Sequence, residues 1–356
     1  MQAATMQGSR TRTEPSSATG AATLAGAAER SPRRSFTRES LVPRPQLQPG
    51  GAPRLTVACL INHFDYGADG GEASDSAAAQ THARDEIVGV DDGSSPEHLE
   101  IVQAACLEHP NVRLIEKENG GQLSCFQTGV AATTSDVVLF LDADDRWQPT
   151  YVEEVLRVLA ERPEIDVLEC NDRRIFSDGR SEVTERPSRD LGYSIVRSLV
   201  NGGPWTGQPT SCLALRRPIL DRIFPLEGFE GWRTCADEAL VYGSSLAGAH
   251  KYFLGTPLVD YRIHGANLFH GHAYCPIKRL VRGVEVLKLV ERMRQRHALP
   301  ASLAHVAHHE FRTIENPTKR DYRSYRALVR DSDLPGKRKR RIALAIWSTF
   351  RLGRHG

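Results

Sequence analysis

Three carboxylates, Asp142, Asp144 and Asp145, follow directly on the apolar run Val137-Val-Leu-Phe-Leu141. On an extended backbone Asp142 and Asp144 project to one side and Asp145 to the other, so two acids share a face at the end of a buried strand. Hard oxygen ligands so placed suit Mg²⁺ or Mn²⁺, although the same acids could instead cap the next helix. A second pair, Asp91 and Asp92, ends the apolar stretch Glu86-Ile-Val-Gly-Val90. Far downstream, Asp237 heads a helix, where it can take up a proton or simply favour the helix dipole, with Glu238 as a rival base. His264 follows a strand and is either a ligand or a hydrogen-bonded imidazole.

The elements that carry these residues alternate between strand and helix. Residues 55–61 form a continuous apolar run suited to a parallel strand covered on both faces, and residues 62–67 extend from its end. Ser94 and Glu97 are spaced for a capping box, Pro96 suits a first turn, and Leu99, Val102 and Cys106 share a helical face. Residues 112–115 read as a short strand, residues 122–132 as a helix, and the helix after Pro149 presents Val152, Val155, Leu156 and Leu159 on one side. Repeated strand-helix alternation implies a parallel sheet with right-handed crossovers, and open α/β sheets place ligands at the carboxyl ends of strands. Residues 166–179 suggest a hairpin, and residues 190–230 alternate helix and loop.

Farther on, residues 275–312 read as helical, with Leu280, Val284, Leu287 and Val290 on one face. The run Lys337-Arg-Lys-Arg-Arg341, followed by Ile342, Ile346 and Phe350, reads as a basic amphipathic helix able to contact an anionic membrane.

Composition sets the outer bounds. With 356 residues, 40% of them hydrophobic and 25% charged, the chain can bury a proper core, and a net charge of +2 gives no reason to expect nucleic acid. Seven scattered cysteines without a Cys-x-x-Cys pair disfavour a disulfide framework or zinc site. No segment has the length of a membrane span or a secretory signal, so a cytoplasmic location, peripheral at most to the inner face of a membrane, is expected. Residues 1–52 have too few large apolar side chains to offset the entropy of ordering and are expected to be disordered. An α/β domain over residues 53–268 and a helical extension over 269–356 complete the expected layout.

Taken in order, Ala79-Gln-Thr81, Val90-Asp-Asp-Gly-Ser94, Glu118-Asn-Gly-Gly121, Phe140-Leu-Asp-Ala-Asp-Asp145-Arg-Trp147, Ala236-Asp237 and Tyr261-Arg-Ile-His264 resemble the family 2 glycosyltransferases. The resemblance spans residues 54–268 and implies the GT-A fold, a mostly parallel, Rossmann-like sheet flanked by helices, here with a C-terminal helical extension. It also implies transfer of a sugar from a nucleotide-diphosphate donor, UDP- or dTDP-linked, to a glycan, glycolipid or small-molecule hydroxyl with inversion. By the same likeness Phe64 stands beside the nucleotide base, Asp92 bonds a pyrimidine, and Asn119 and Gly121 line the donor site. Asp142 is similar to the ribose contact, Asp144 and His264 to ligands of Mn²⁺ or Mg²⁺, and Asp237 to the general base. The acceptor is expected to enter past residues 207–211 and Trp232.

The sequence departs from the family pattern at Asn62-His-Phe-Asp65, Phe126 and Ala236. A non-catalytic nucleotide-sugar-binding protein is therefore one alternative. A sugar-nucleotide pyrophosphorylase is another, but residues 62–71 lack the Lys and Arg that its phosphate loop requires.

Overall fold

Strand β1 (Val57–His63) runs through the centre of the sheet, and its apolar side chains are buried because helices cover both faces. The computed structural model describes residues 54–82, 85–109, 111–200, 207–229, 232–264 and 275–352. The segment expected to be disordered, residues 1–52, lies outside the described residues, as does the expected domain boundary at 268.

After β1 come α1 (Gly67–Ala78), β2 (Glu86–Asp91), α2 (Pro96–Glu108), β3 (Val112–Glu116), α3 (Gln122–Ala131) and β4 (Val137–Asp142). Next are β5 (Arg146–Trp147), α4 (Tyr151–Glu161), the hairpin β6 (Val167–Phe176) and β7 (Ser181–Val183), β8 (Arg189–Gly192), α5 (Ile195–Leu199), β9 (Leu213–Arg216) and α6 (Arg217–Ile223). Helix α7 (Asp237–Leu246) and the long β10 (Lys251–Ile263) complete the sheet. The strand order is β3-β2-β1-β4-β9-β6-β10-β5.

Pairing is parallel across β3-β2-β1-β4 and again between β6 and β10, while β9 lies antiparallel between β4 and β6. In the register of the central strands Asn62 stands opposite both Val90 and Asp142, so β1, β2 and β4 end at one level. The acids are therefore delivered to a single edge.

Several local expectations are corrected. Residues 190–230, read as helix and loop, supply the strands β8 and β9; each has only four residues, too few to establish a period. The Ser94–Glu97 capping box does not form. Ser94 Oγ instead donates to Asp91 Oδ1 at 2.5 Å, because the buried Asp91 carboxylate demands donors more strongly than a solvated helix start. Ser95 occupies the N-cap.

The C-terminal region also differs from expectation. Helix α8 (Pro276–Arg296) stops well before residue 312, and α9 (Ala307–Phe311) is separate. Its inward side chains are Val286, Leu289, Val290 and Met293, whereas Leu280, Val284 and Leu287 face outward. Of the four residues expected on one face, only Val290 is buried, because periodicity shows that a face is apolar but not what it meets. Helices α10 (Lys319–Asp331) and α11 (Gly336–Leu352) pack with α9.

Ile342, Ile346 and Phe350, expected to lie on a membrane, are instead buried in this satellite core with Phe311, Tyr325 and Val329. The core is tied to the sheet domain through Glu310, which accepts from the backbone N–H groups of Val196 (2.7 Å) and Arg197 (3.1 Å). Ile346→Ala should therefore cost about 2–5 kcal/mol in urea denaturation, whereas Leu344→Ala, on the exposed side of α11, should change stability by less than about 0.5 kcal/mol. Equal effects would overturn this packing.

Candidate active site

Beyond Asp142 the chain does not remain extended. The Asp145 N–H donates to the Asp142 carbonyl at 3.0 Å, and the tight turn brings all three carboxylates together instead of alternating them. One oxygen from each of Asp142, Asp144 and Asp145 lies within 4.8 Å of the others. Asp145, expected on the opposite side, thus belongs to the cluster. It is buried, and it accepts Ser211 Oγ at 2.5 Å and the Arg262 N–H at 3.0 Å.

Asp142 Oδ1 accepts from Gln122 Nε2 at 2.8 Å, and the Asp142 N–H donates to Ser211 Oγ at 3.1 Å. Burial, followed by the negative charge of Asp144, pushes the Asp142 carboxyl up to about 7, and the same two causes raise Asp145. His264 Nε2 lies 3.2 Å from Asp144 Oδ2, which brings together the two residues expected to act as ligands. The Asn62 Oδ1 is buried with no hydrogen-bond partner among the described residues. A set of carboxylate oxygens and one imidazole, carrying excess negative charge, fits a hard divalent cation.

Phe64, Asp92, Asn119, Gly121, Asp142, Asp144 and Asp237 all line one cavity of about 910 Å³, and Phe64 is exposed. Asp92 shapes its far wall: Oδ1 receives Lys117 Nζ (2.6 Å) and the Gly120 N–H (2.9 Å), and Oδ2 the Gly121 N–H (2.7 Å). Gly121 has φ +86°, and a Cβ there would come within 2.4 Å of the Arg233 Cα, so this turn requires glycine. Arg233 in turn donates to Asn119 Oδ1.

The altered loop after β1 is well tied. His63 Nδ1 pairs with Asp91 Oδ1 at 2.8 Å, and Asp65 Oδ1 accepts the Ser95 N–H at 2.8 Å.

Asp237 is the first residue of α7 and is partly exposed in the cavity wall. Burial, then repulsion from Glu238, pushes its carboxyl up to about 7, and the Arg282 guanidinium opposes the rise. Glu238 is engaged in an ion pair with Arg282, Oε2 to Nε at 2.7 Å, which favours Asp237 as the group open to chemistry. Trp232, expected beside the acceptor path, is instead buried beneath Arg282, whose guanidinium lies 4.2 Å from its ring centroid. Of residues 207–211, Pro209 and Thr210 line the cavity.

Gln122 was given no role from sequence, although it directly follows the run Glu118-Asn-Gly-Gly121. Its amide links the two halves of the site: Nε2 donates to Asp142, and Oε1 accepts the Ala236 N–H at 2.9 Å, immediately before Asp237. Arg282 was likewise missed, and Ser211 was read only as part of the acceptor path, since neither has any local signal that it faces an acid.

Comparison with known proteins agrees with this arrangement. The family model "Glycosyl transferase family 2" matches residues 71–224. An uncharacterized glycosyltransferase of Nostoc sp. is 34% identical over 220 residues, 60% of this chain and 66% of the relative. The putative glycosyltransferase EpsH of Bacillus subtilis is 25% identical over 53% of this chain and 56% of its own length. The chain thus spans about two thirds or less of these relatives.

Among solved structures, S. aureus TarS 1-349 in complex with UDP-GlcNAc superposes with TM-score 0.50 at 15% identity, covering 85% of this chain and 91% of that one. GalNAc-T7 with UDP, GalNAc and Mn²⁺ gives TM-score 0.51 at 16% identity, over 68% and 55% respectively. These likenesses establish the architecture. Residues 71–224 are a glycosyl transferase family 2 domain, and the architecture around them is the GT-A fold.

Proposed function

We propose that this chain is an inverting, divalent-cation-assisted glycosyltransferase, moving a sugar from a UDP- or dTDP-linked donor to a hydroxyl of a glycan, glycolipid or small molecule. The observation that carries this reading is the division of acids around one cavity, with the cluster at the end of β4 on one wall and the partly exposed Asp237 on another. Asp144 and His264, with Asp142 beside them, would hold Mn²⁺ or Mg²⁺, which when bound supplies positive charge to a departing diphosphate. Asp142 is placed for the ribose side, with Phe64, Asn119 and Gly121 completing the donor wall. Asp92 Oδ2 takes one bond from Gly121 and keeps acceptor capacity for a pyrimidine N–H.

Asp237 accepts the proton of the acceptor hydroxyl as its oxygen bonds to the anomeric carbon and the nucleoside diphosphate leaves. A single displacement of this kind inverts the anomeric centre. The fold neighbours with UDP-GlcNAc or UDP and Mn²⁺ support the donor class.

Asp237→Asn should lower turnover about 10²- to 10⁴-fold while leaving donor affinity near wild type, because the base is removed without disturbing the cation site. Since only the deprotonated carboxylate accepts a proton, wild-type kcat/KM at saturating Mn²⁺ should rise with pH through about 7, where Asp237 titrates. Donor turnover that survives both Asp144→Ala and Asp237→Asn would refute the assignment. Donor binding without any turnover would favour the non-catalytic alternative.

Stability provides a second check. Asp142 and Asp237 hold protons more tightly in the folded state, so in the cation-free protein their contribution to stability is fully present below about pH 4 and is lost as pH rises through about 7. Mn²⁺ should reverse that loss, with a thermal shift larger at pH 8 than at pH 5; at a hundred times its Kd a ligand contributes about 2.7 kcal/mol. Identical shifts at both pH values, or none with any UDP-, dTDP- or GDP-sugar, would count against the site.

A further inference from the structure

Helix α11 turns Ile342, Ile346 and Phe350 into the satellite core, and the side opposite them is exposed. Lys337, Arg340, Arg341, Leu344, Trp347 and Arg351 recur there at intervals of three and four residues, so they form one continuous face. Leu344, Trp347 and the adjoining Leu352 are 43% to 72% exposed. The helix contains no carboxylate. Lys339 Nζ donates to the Arg330 carbonyl at 2.8 Å and the Arg351 guanidinium lies 5.6 Å from the Trp347 ring centroid, whereas Lys337, Arg338, Arg340 and Arg341 have no ion-pair partner among the described residues.

The surroundings reinforce this charge. Of the acids just before the helix, Asp331 is paired with Arg330 at 2.7 Å, which leaves Asp333 to oppose the cluster in sequence. Burial, followed by repulsion from His309, Arg312 and Arg341, holds the His308 imidazole of α9 below its ordinary range. Unpaired cations with a tryptophan and two leucines on the same side match the boundary between anionic headgroups and acyl chains. Other occupants fit less well. A second copy related by a two-fold axis would set these cations against one another, and a nucleic acid would take the cations but leave Leu344 and Leu352 in water.

We propose that the outward face of α11 docks on an anionic lipid surface, with its lysines and arginines on the headgroups and Trp347 at the level where headgroups give way to acyl chains. Because Ile342, Ile346 and Phe350 already hold the helix on the protein, docking needs no folding step, and the residues that reach the lipid are not the apolar ones that the sequence pattern pointed to. The inference rests on α11 alone and stands or falls independently of the transferase reading.

Co-sedimentation of the full chain with vesicles tests it, comparing phosphatidylcholine alone with a mixture rich in phosphatidylglycerol. The wild type should pellet with the anionic vesicles only, and more weakly at high salt. Arg340→Gln combined with Arg341→Gln should weaken binding at least about ten-fold, each cation near such a surface being worth about five-fold, while Arg157→Gln with Arg180→Gln, an equal loss of charge elsewhere, should leave it unchanged. Brominated phosphatidylcholine in the anionic vesicles should quench the fluorescence of the bound wild type, and Trp347→Phe should lose most of that quenching while still pelleting. All these positions are exposed, so an unaltered melting midpoint will show that the variants fold. Equal pelleting with both vesicles, full binding by the Arg340 and Arg341 double variant, quenching unchanged in Trp347→Phe, or preferential capture by a duplex oligonucleotide in place of the vesicles would overturn the proposal.

Discussion

The mutual repulsion of Asp142, Asp144 and Asp145 is the constraint around which this site is built. Unit charges separated by 4.8 Å repel by about 3 kcal/mol at an effective dielectric constant of about 20. No single neighbour offsets that, so donors converge on the cluster from separate parts of the chain. Ser211 comes from the turn before β9, the Arg262 N–H from the end of β10, and Gln122 from the start of α3. The antiparallel β9 has its purpose here, because inserting it between β4 and β6 brings Ser211 under the acids. Even with these bonds Asp142 and Asp145 remain raised, so the donors hold the shape of the cluster while burial and repulsion still favour the protonated acids.

The distance between what is visible in sequence and what is not follows from how far each interaction reaches along the chain. Strands β1, β2 and β4 were legible because parallel strands covered on both faces need unbroken apolar runs, and their acids stand out where those runs stop. Asp237 and His264 could be singled out as candidates from sequence; Asp237 lines the cavity and His264 lies 3.2 Å from Asp144. The turn after Asp142 was missed because alternation presumes an extended backbone, and here the backbone closes on itself. Gln122, Ser211 and Arg282 act on partners between 20 and 114 residues away or on another helix, and no local pattern marks them.

The same limit explains the C-terminal corrections. An apolar stripe at helical spacing shows that a face avoids water, but it does not say whether protein, lipid or another helix receives it. In α11 Ile342, Ile346 and Phe350 went inward, to Tyr325 and Phe311, while Trp347 stayed exposed. In α8 three of the four residues expected on one face point outward, because a second stripe, staggered toward the carboxyl end, packs against the body. Where a helix carries two stripes, the longer contact with the existing core decides which is buried.

Helix α8 also bears on the choice between the two adjacent acids at the start of α7. A carboxylate pair in a partly desolvated cavity wall raises both acids, and without another charge neither would be distinguished as the base. Arg282 breaks the symmetry by pairing with Glu238 at 2.7 Å while its charge also lowers Asp237 from a greater distance. The outcome is an acid near 7, poised to take a proton in neutral solution, beside one committed to an ion pair. The helical extension, read from sequence as an appendage, thus contributes through one guanidinium to the electrostatics of the cavity.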